Sequence, residues 1–435
     1  MMQWIRVVGA LALTAMAGCR PGTVPMTPIE LASGATATGA TPMMLVTSAG
    51  DRVLSWVAVD SVSGREALFV EVTRDGATSG DPVVVVRDSL GGINPHGEAP
   101  PRLAESSDGA IYVMYTVGKE VPGSRFPRSA LRLIRSDDGG RSWSEPVSVN
   151  EGERFGSHNF HAVLGGPGGA VHAAWLSSHH GRSMVWIRQS KDGGRNWDTA
   201  RAIDSAAACP CCRTGLALGP DGSLYVAWRR IFDGEVRDVV VMRSPDGGTT
   251  WDEPVRPRQD GWVFHGCPHA GPSLEVDQAG AVHVAWWTGK PGEAGVYYAR
   301  SADAGKSFEA VPIAVGEKAA PAHVQLAVGS FGTVVGWDDG LTASPRILIR
   351  AAAPGGRFGP EIQLSQGGAA TYPVFAVLRD TLQVAWSQKA ADVYRADEAA
   401  RPDMDDPKAV MPLPRVGQSE IFTRRAKVAD LMIAN

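Results

Sequence analysis

The chain has 435 residues, 44% of them hydrophobic and 20% charged, with a formal net charge of −4. That length allows one large domain or two ordinary ones, and the apolar fraction is ample for a core. The slight negative charge gives no electrostatic case for nucleic acid, and no run of about 20 apolar residues marks a transmembrane helix.

The N-terminus reads as a targeting segment. Arg6 supplies a minimal positive start, and Val7 to Ala17 is apolar over a signal-peptide length, too short to span a bilayer. Met16-Ala-Gly-Cys19 then has the pattern of a bacterial lipobox, whose cysteine becomes the lipidated first residue. Residues 1–19 are therefore expected to be a signal peptide with lipobox. Residues 20–38, rich in Pro, Thr, Gly and Ala, are expected to be a tether. Lipidation of Cys19 places the chain at the cell envelope, on the outer membrane, facing periplasm or surface. Plain cleavage near Ala17-Gly18 and secretion is the alternative.

From residue 39 onward one pattern recurs. Its clearest copy runs from Arg213 to Trp251: a short apolar run (Gly215 to Leu218), a Pro-Asp-Gly turn, a strand-like run ending on Trp228, a polar loop, a β-branched run (Val239 to Met242), and the closing octapeptide Ser244-Pro-Asp-Gly-Gly-Thr-Thr-Trp251. Short runs of β-formers between Gly/Asp/Pro turns read as an antiparallel meander. A single meander cannot bury both faces, so copies must stack. The aromatic ending the second strand recurs as Trp56, Tyr115, Trp175, Trp228, Trp286, Trp337 and Trp386. Neighbours in that column are 49 to 60 residues apart, the period of a β-propeller blade with generous loops. The expectation is an all-β, seven-bladed propeller over residues 39–435, with six blades as the alternative.

Units begin near 42, 98, 158, 210, 267, 321 and 371, and the last is short of a fourth strand. Pro28 to Ala32 is the candidate to supply it and close the ring. The octapeptide recurs at Ser136–Trp143, Ser190–Trp197 and Ser301–Phe308. In each copy the carboxylate (Asp138, Asp192, Asp246, Asp303) can accept N–H bonds within its own turn, and the glycines supply positive φ. These boxes are read as structural.

The motif Ser-x-Asp-x-Gly-x-Thr-Trp resembles the Asp box, or BNR repeat, of the sialidase-like proteins. The resemblance covers about residues 40 to 390 and implies a propeller. It does not by itself imply hydrolysis, because Asp boxes also occur in non-hydrolytic propellers. A sialidase site needs three arginines around a carboxylate, a Tyr/Glu nucleophile pair and an Asp acid/base. Tyr372, Arg229 (or Arg230) and Arg346 stand at similar positions. The early Arg-Ile-Pro motif is absent; Ala99-Pro-Pro-Arg102 takes its place, with the arginine displaced by three. No acid/base Asp is assignable. An exo-sialidase is thus the alternative to a non-hydrolytic binding module, and a plain protein-interaction propeller is the third reading.

In a propeller the residues just before each innermost strand converge on the axis. Here these are His96 and Glu98; His158, Asn159 and His161; Cys209, Cys211, Cys212 and Arg213; His265, Cys267 and His269; His323; and Tyr372. Thiolates with imidazoles suit copper(I) or zinc. The expected metal set is Cys209, Cys211, Cys212, Cys267, His265, His269, His158, His161 and His323. Structural disulfides joining one of Cys209, Cys211 or Cys212 to Cys267 are the rival. The expected ligand at the mouth is a glycan, a metal or a protein, and the expected membrane contact is the lipid anchor.

Overall fold

The computed structural model describes residues 30–31, 35–179, 181–316, 322–340, 344–402, 406 and 408–433. The expected signal peptide, Cys19 and most of the tether lie outside the described residues. The rest forms seven antiparallel sheets, each a meander in sequence order. Blade 1 is Ala40–Val46, Arg52–Val59, Glu66–Thr73 and Val84–Val86. The innermost strands of blades 2 to 7 are Arg102–Glu105, Asn159–Gly165, Gly215–Leu218, Ser273–Val276, Gln325–Gly329 and Ala369–Leu378. Each innermost strand touches the next, and that of blade 7 returns to that of blade 1, which closes the ring.

The closure uses both chain ends. Blade 7 takes Thr381–Lys389 and Glu420–Lys427 from the C-terminal side. Its outer positions come from the N-terminal side: Glu30–Leu31 pairs with Arg425 and Arg424, and Ala37–Thr38 pairs with Ile421 and Glu420. The strand foreseen at Pro28 to Ala32 is therefore present at Glu30–Leu31, and a second short piece joins it. Blade 4 is the incomplete one. It has three strands, Gly215–Leu218, Leu224–Phe232 and Val236–Ser244, and two isolated bridges, Val241 to Val255 and Val236 to Val263, stand where a fourth would run.

The whole aromatic column is buried, because each of these rings fills the space between a blade and its neighbour. The Asp boxes are turn staples. Asp138 accepts bonds from Ser136 Oγ (2.8 Å), Ser142 N–H (2.9 Å) and Ser142 Oγ (2.6 Å), while the Gly140 N–H bonds Ser136 Oγ at 2.8 Å. Asp192, Asp246 and Asp303 repeat this pattern. The donors four residues ahead hold all four carboxyls down at about 2. Both oxygens of each carboxylate are thus engaged in holding its own turn.

The lead-ins to the innermost strands share a backbone device. Thr41, Phe160, His269 and Tyr372 all hold positive φ, between 48 and 56°. At Thr41, Phe160 and Tyr372 this coincides with a register shift against the second strand. Bulges of this kind re-aim a side chain at a sheet edge. Left-handed non-glycine residues are strained and persist only where the surroundings over-determine them.

Candidate functional site

Five blades contribute to a polar network at the mouth of the axis, and a sixth adds the Phe160 ring. Glu98, before blade 2, is 0% exposed. Its carboxylate accepts Arg213 Nη1 at 2.7 Å and the backbone N–H groups of Arg213 and Gly271 at 3.1 Å each. Arg213 also donates to the Val324 carbonyl. On the other side, His323 Nδ1 lies 2.5 Å from Asp338 Oδ2, and Asp338 further accepts the N–H groups of His323 and Tyr372, both at 2.9 Å. His323 Nε2 faces Glu98 Oε1 at 4.0 Å, and the Tyr372 ring stacks on His323 with centroids 3.8 Å apart. Gly97 makes that stack possible, since a Cβ there would come within 2.2 Å of the phenol ring. His96 and His269 sit side by side at 5.7 Å, with Phe160 against both.

Burial sets the protonation states. It pushes His96 down to about 4, helped by His269, and lowers His269 as well. Burial would raise Glu98 and Asp338, but Arg213 and His323 respectively outweigh it and hold both carboxyls below their ordinary range. The Tyr372 phenol is pushed up by burial and by the Glu98 and Asp338 charges. A void of about 10 Å³ lies beside Tyr372, Arg102, Arg213 and Gln325, roughly one water's worth. The connection from blade 7, which carries the helix Ala391–Ala399, brings Tyr394 and Arg401 close enough to influence Tyr372. It then reaches blade 2, where the Met411 N–H bonds the Arg125 carbonyl at 2.8 Å, and blade 1, where Arg415 pairs with Glu66.

Beside this network lies a thiol cluster. The turn Cys209-Pro-Cys-Cys212 puts three buried sulfurs on one side, with Cys209 Sγ 3.8 Å from Cys211 Sγ and 3.6 Å from Cys212 Sγ. The turn is pinned to blade 4 by the Cys209 N–H, which bonds the Arg229 carbonyl at 2.8 Å. Arg237 Nη1 reaches Cys209 Sγ at 3.2 Å. The Cys211 and Cys212 thiols, then Arg229 and Arg237, draw the Cys209 pKa well down, whereas burial pushes Cys211 and Cys212 up. Cys267, exposed on the lead-in to blade 5, interacts with Cys211, which lowers its own pKa. All four cysteines among the described residues are unbonded thiols.

Of the nine residues expected to form one metal set, three sulfurs meet, Cys267 interacts with one of them, and four histidines are held in other contacts. No histidine joins the sulfur trio among the described residues. His158 is held by the Glu153 carbonyl (3.1 Å) and Ser177 Oγ (3.0 Å). His161 is fully buried, its Nε2 2.8 Å from the Met114 carbonyl. His323 belongs to the axis, and His269 turns Nδ1 to the Cys267 carbonyl at 3.1 Å. His265 shares the exposed loop of Cys267. The sulfurs also flank the axis rather than occupy it, for Arg213, the residue after Cys212, is the one that reaches Glu98.

The three sialidase-type positions do not surround an open pocket either. Arg229 is 1% exposed and stitches blade 4 to blade 5 through the carbonyls of Arg237 (2.9 Å), Ala270 (3.0 Å) and Trp287 (2.6 Å). Arg230 pairs with Asp204 at 2.8 Å. Arg346 pairs with Asp339 on blade 6. Tyr372 alone stands at the axis. Asp338 and Arg237 are the residues that the sequence reading missed. Asp338 directly follows the column residue Trp337, and a carboxylate at a strand end facing the mouth was a readable signal. Arg237 carried none.

Residues 69–261 match the family profile of a BNR repeat-like domain. No curated protein matches the chain in sequence. Among solved structures, an ulvan lyase of a new polysaccharide lyase family, bound to a glucuronate–rhamnose-3-sulfate ligand, is 13% identical with a TM-score of 0.55, covering 92% of this chain and 98% of its own. A protein of unknown function from Dyadobacter fermentans DSM 18053 is 14% identical with a TM-score of 0.50, covering 91% and 96%. The intramolecular trans-sialidase of Ruminococcus gnavus is 12% identical, covering 93% and 98%, but its TM-score of 0.45 is too low to carry weight. At these identities the likeness is one of fold. The chain is a seven-bladed propeller of which residues 69–261 match a BNR repeat-like domain.

Proposed function

We propose that this protein is a non-hydrolytic, ligand-binding propeller, anchored at the cell envelope through Cys19, whose blades 4 and 5 hold a soft metal ion, copper(I) or zinc, on cysteine sulfur. The observation that carries the metal reading is the sulfur spacing of 3.6 and 3.8 Å. Ligands about 2.3 Å from a tetrahedral ion stand about 3.8 Å apart. Sulfur donors select copper(I) or zinc and are poor for magnesium or calcium, which want oxygen. Cys267 is the candidate fourth ligand, from the neighbouring blade. Arg237 offsets part of the negative charge that thiolates bring to a buried site. Because thiols must ionise to bind, loading releases protons and weakens as pH falls. Metal content and thiol count of the native protein test this reading.

Anchoring rests on the apolar segment and Met16-Ala-Gly-Cys19. A Cys19→Ala chain is expected to leave the membrane fraction or to remain unprocessed. Membrane association that survives the substitution counts against the anchor.

The non-hydrolytic reading rests on the engaged arginines. Without a set of guanidiniums to grip it, a substrate carboxylate loses the charge-assisted bonds that would position it. The rival, a sialidase-type hydrolase, has one supporting observation: Tyr372 lies within electrostatic reach of Glu98, as a Tyr/Glu pair requires. Turnover of a fluorogenic sialoside is expected at background level. Robust turnover that Tyr372→Phe abolishes would reverse the assignment.

A further inference from the structure

We propose that a groove between blades 2 and 3 is a binding site for a neutral saccharide. It opens on the same face as the axial mouth, because it lies between the hairpin after Lys119 and the lead-in to Asn159. The groove holds about 630 Å³, well inside the range of roughly 300–1,000 Å³ usual for small-molecule sites.

Its chemistry is amphipathic in the way a pyranose is. Trp186 supplies aromatic surface, backed by its buried cross-strand partner Trp175 in blade 3. Phe126 adds a third ring at the rim and is 55% exposed, so it does nothing for the core. Aromatic faces of this kind pack against the apolar C–H face of a sugar while their polar tips and neighbours meet its hydroxyls. The hydroxyl-bearing side is present in Ser177 and Ser178. The Trp175 side chain lines the groove at 2% exposure, yet its Nε1–H has no acceptor among the described residues. That nitrogen has no accessible surface, so the hydroxyls and carboxylates of the groove are left to make the polar contacts with a sugar.

Charge fixes the class of sugar. The one arginine in the groove, Arg128, is already bonded to both oxygens of Glu153, at 2.9 and 3.0 Å. Glu151 adds a second carboxylate, tied to the Ala200 N–H at 2.7 Å. Burial lowers the His158 pKa and keeps that ring neutral. The lining is thus net negative and offers no free guanidinium, so it disfavours a carboxylated or sulfated sugar. A neutral saccharide is the opposite of what the sialidase resemblance implies. None of the thiols takes part, so this site stands or falls independently of the metal.

The test is isothermal titration of the whole, metal-loaded protein with cellotetraose, maltotetraose, xylotetraose and mannotetraose, and with sialyllactose as the acidic comparator. At least one neutral tetrasaccharide is expected to bind with Kd at or below about 1 mM and more tightly than sialyllactose. Phe126→Ala, at an exposed position that leaves the fold intact, should weaken it at least about tenfold, near 1.4 kcal/mol, with a parallel loss from Trp186→Ala. Cys209→Ser should leave it unchanged, which separates failure here from failure of the metal reading. No binding by any neutral tetrasaccharide, binding indifferent to Phe126→Ala, or a preference for sialyllactose would overturn the proposal.

Discussion

Glu98→Gln is expected to destabilise the folded protein by about 3–5 kcal/mol, the usual cost of removing one partner from a buried ion pair. The carboxylate is 0% exposed and takes three bonds, one from the Arg213 guanidinium and two from backbone N–H groups of blades 4 and 5. Glutamine keeps the shape but loses the charge and half of the acceptor capacity. Arg213 is then left as an uncompensated cation at the axis, with Arg102 nearby to repel it. The reciprocal substitution, Arg213→Met, should cost a similar amount by stranding Glu98. The double variant Glu98→Met with Arg213→Met should recover much of the loss, because replacing a whole buried pair with apolar groups is often neutral. Denaturant midpoints of the four proteins check this. Single variants within about 0.5 kcal/mol of the parent would mean that the network does not staple the blades.

The second large effect concerns the chain ends. A chain that starts at residue 39 lacks both N-terminal pieces of blade 7. Beyond the strand pairing, it loses the Thr36 N–H bond to the Ile421 carbonyl (2.7 Å), and Glu420–Lys427 becomes an open edge. With each backbone bond worth about 1 kcal/mol net, the loss should reach several kcal/mol. The bare edge should also promote association between molecules. A lower melting temperature with oligomers in size-exclusion chromatography is expected, while deletion of residues 20–29 alone serves as control. An unchanged melting temperature and a monomeric elution would show that the closure carries no weight.

The fold was legible because its signals are local and repeated. The Trp228 column and the Ser244–Trp251 box each do one job inside one blade, and seven copies of the column reinforce one another. Even the strand at Glu30–Leu31 could be placed, because blade 7 visibly lacked an edge partner. The site was legible only in part. Cys209, Cys211 and Cys212 lie in one tight turn, so short-range sequence decides that their sulfurs meet. The histidines depend on direction and depth along a strand. His161, one residue past the bulge at Phe160, points into the gap between blades 2 and 3 and finds the Met114 carbonyl instead of the axis. Arg229 comes one residue after Trp228, on the opposite face of its strand, where it is drawn to the carbonyls of blade 5. A bulge or a single step along a strand thus decides between mouth and core, and the spacing of residues does not record it.

The metal content of the native protein tests the central claim most directly. The full chain, purified anaerobically without reductant or chelator, should carry close to one equivalent of copper or zinc per molecule. Its thiols should become titratable only after chelation, and Cys209→Ser with Cys211→Ser should abolish the bound metal. A protein with no bound metal and no titratable thiol, or one that keeps its metal after both substitutions, would contradict the account.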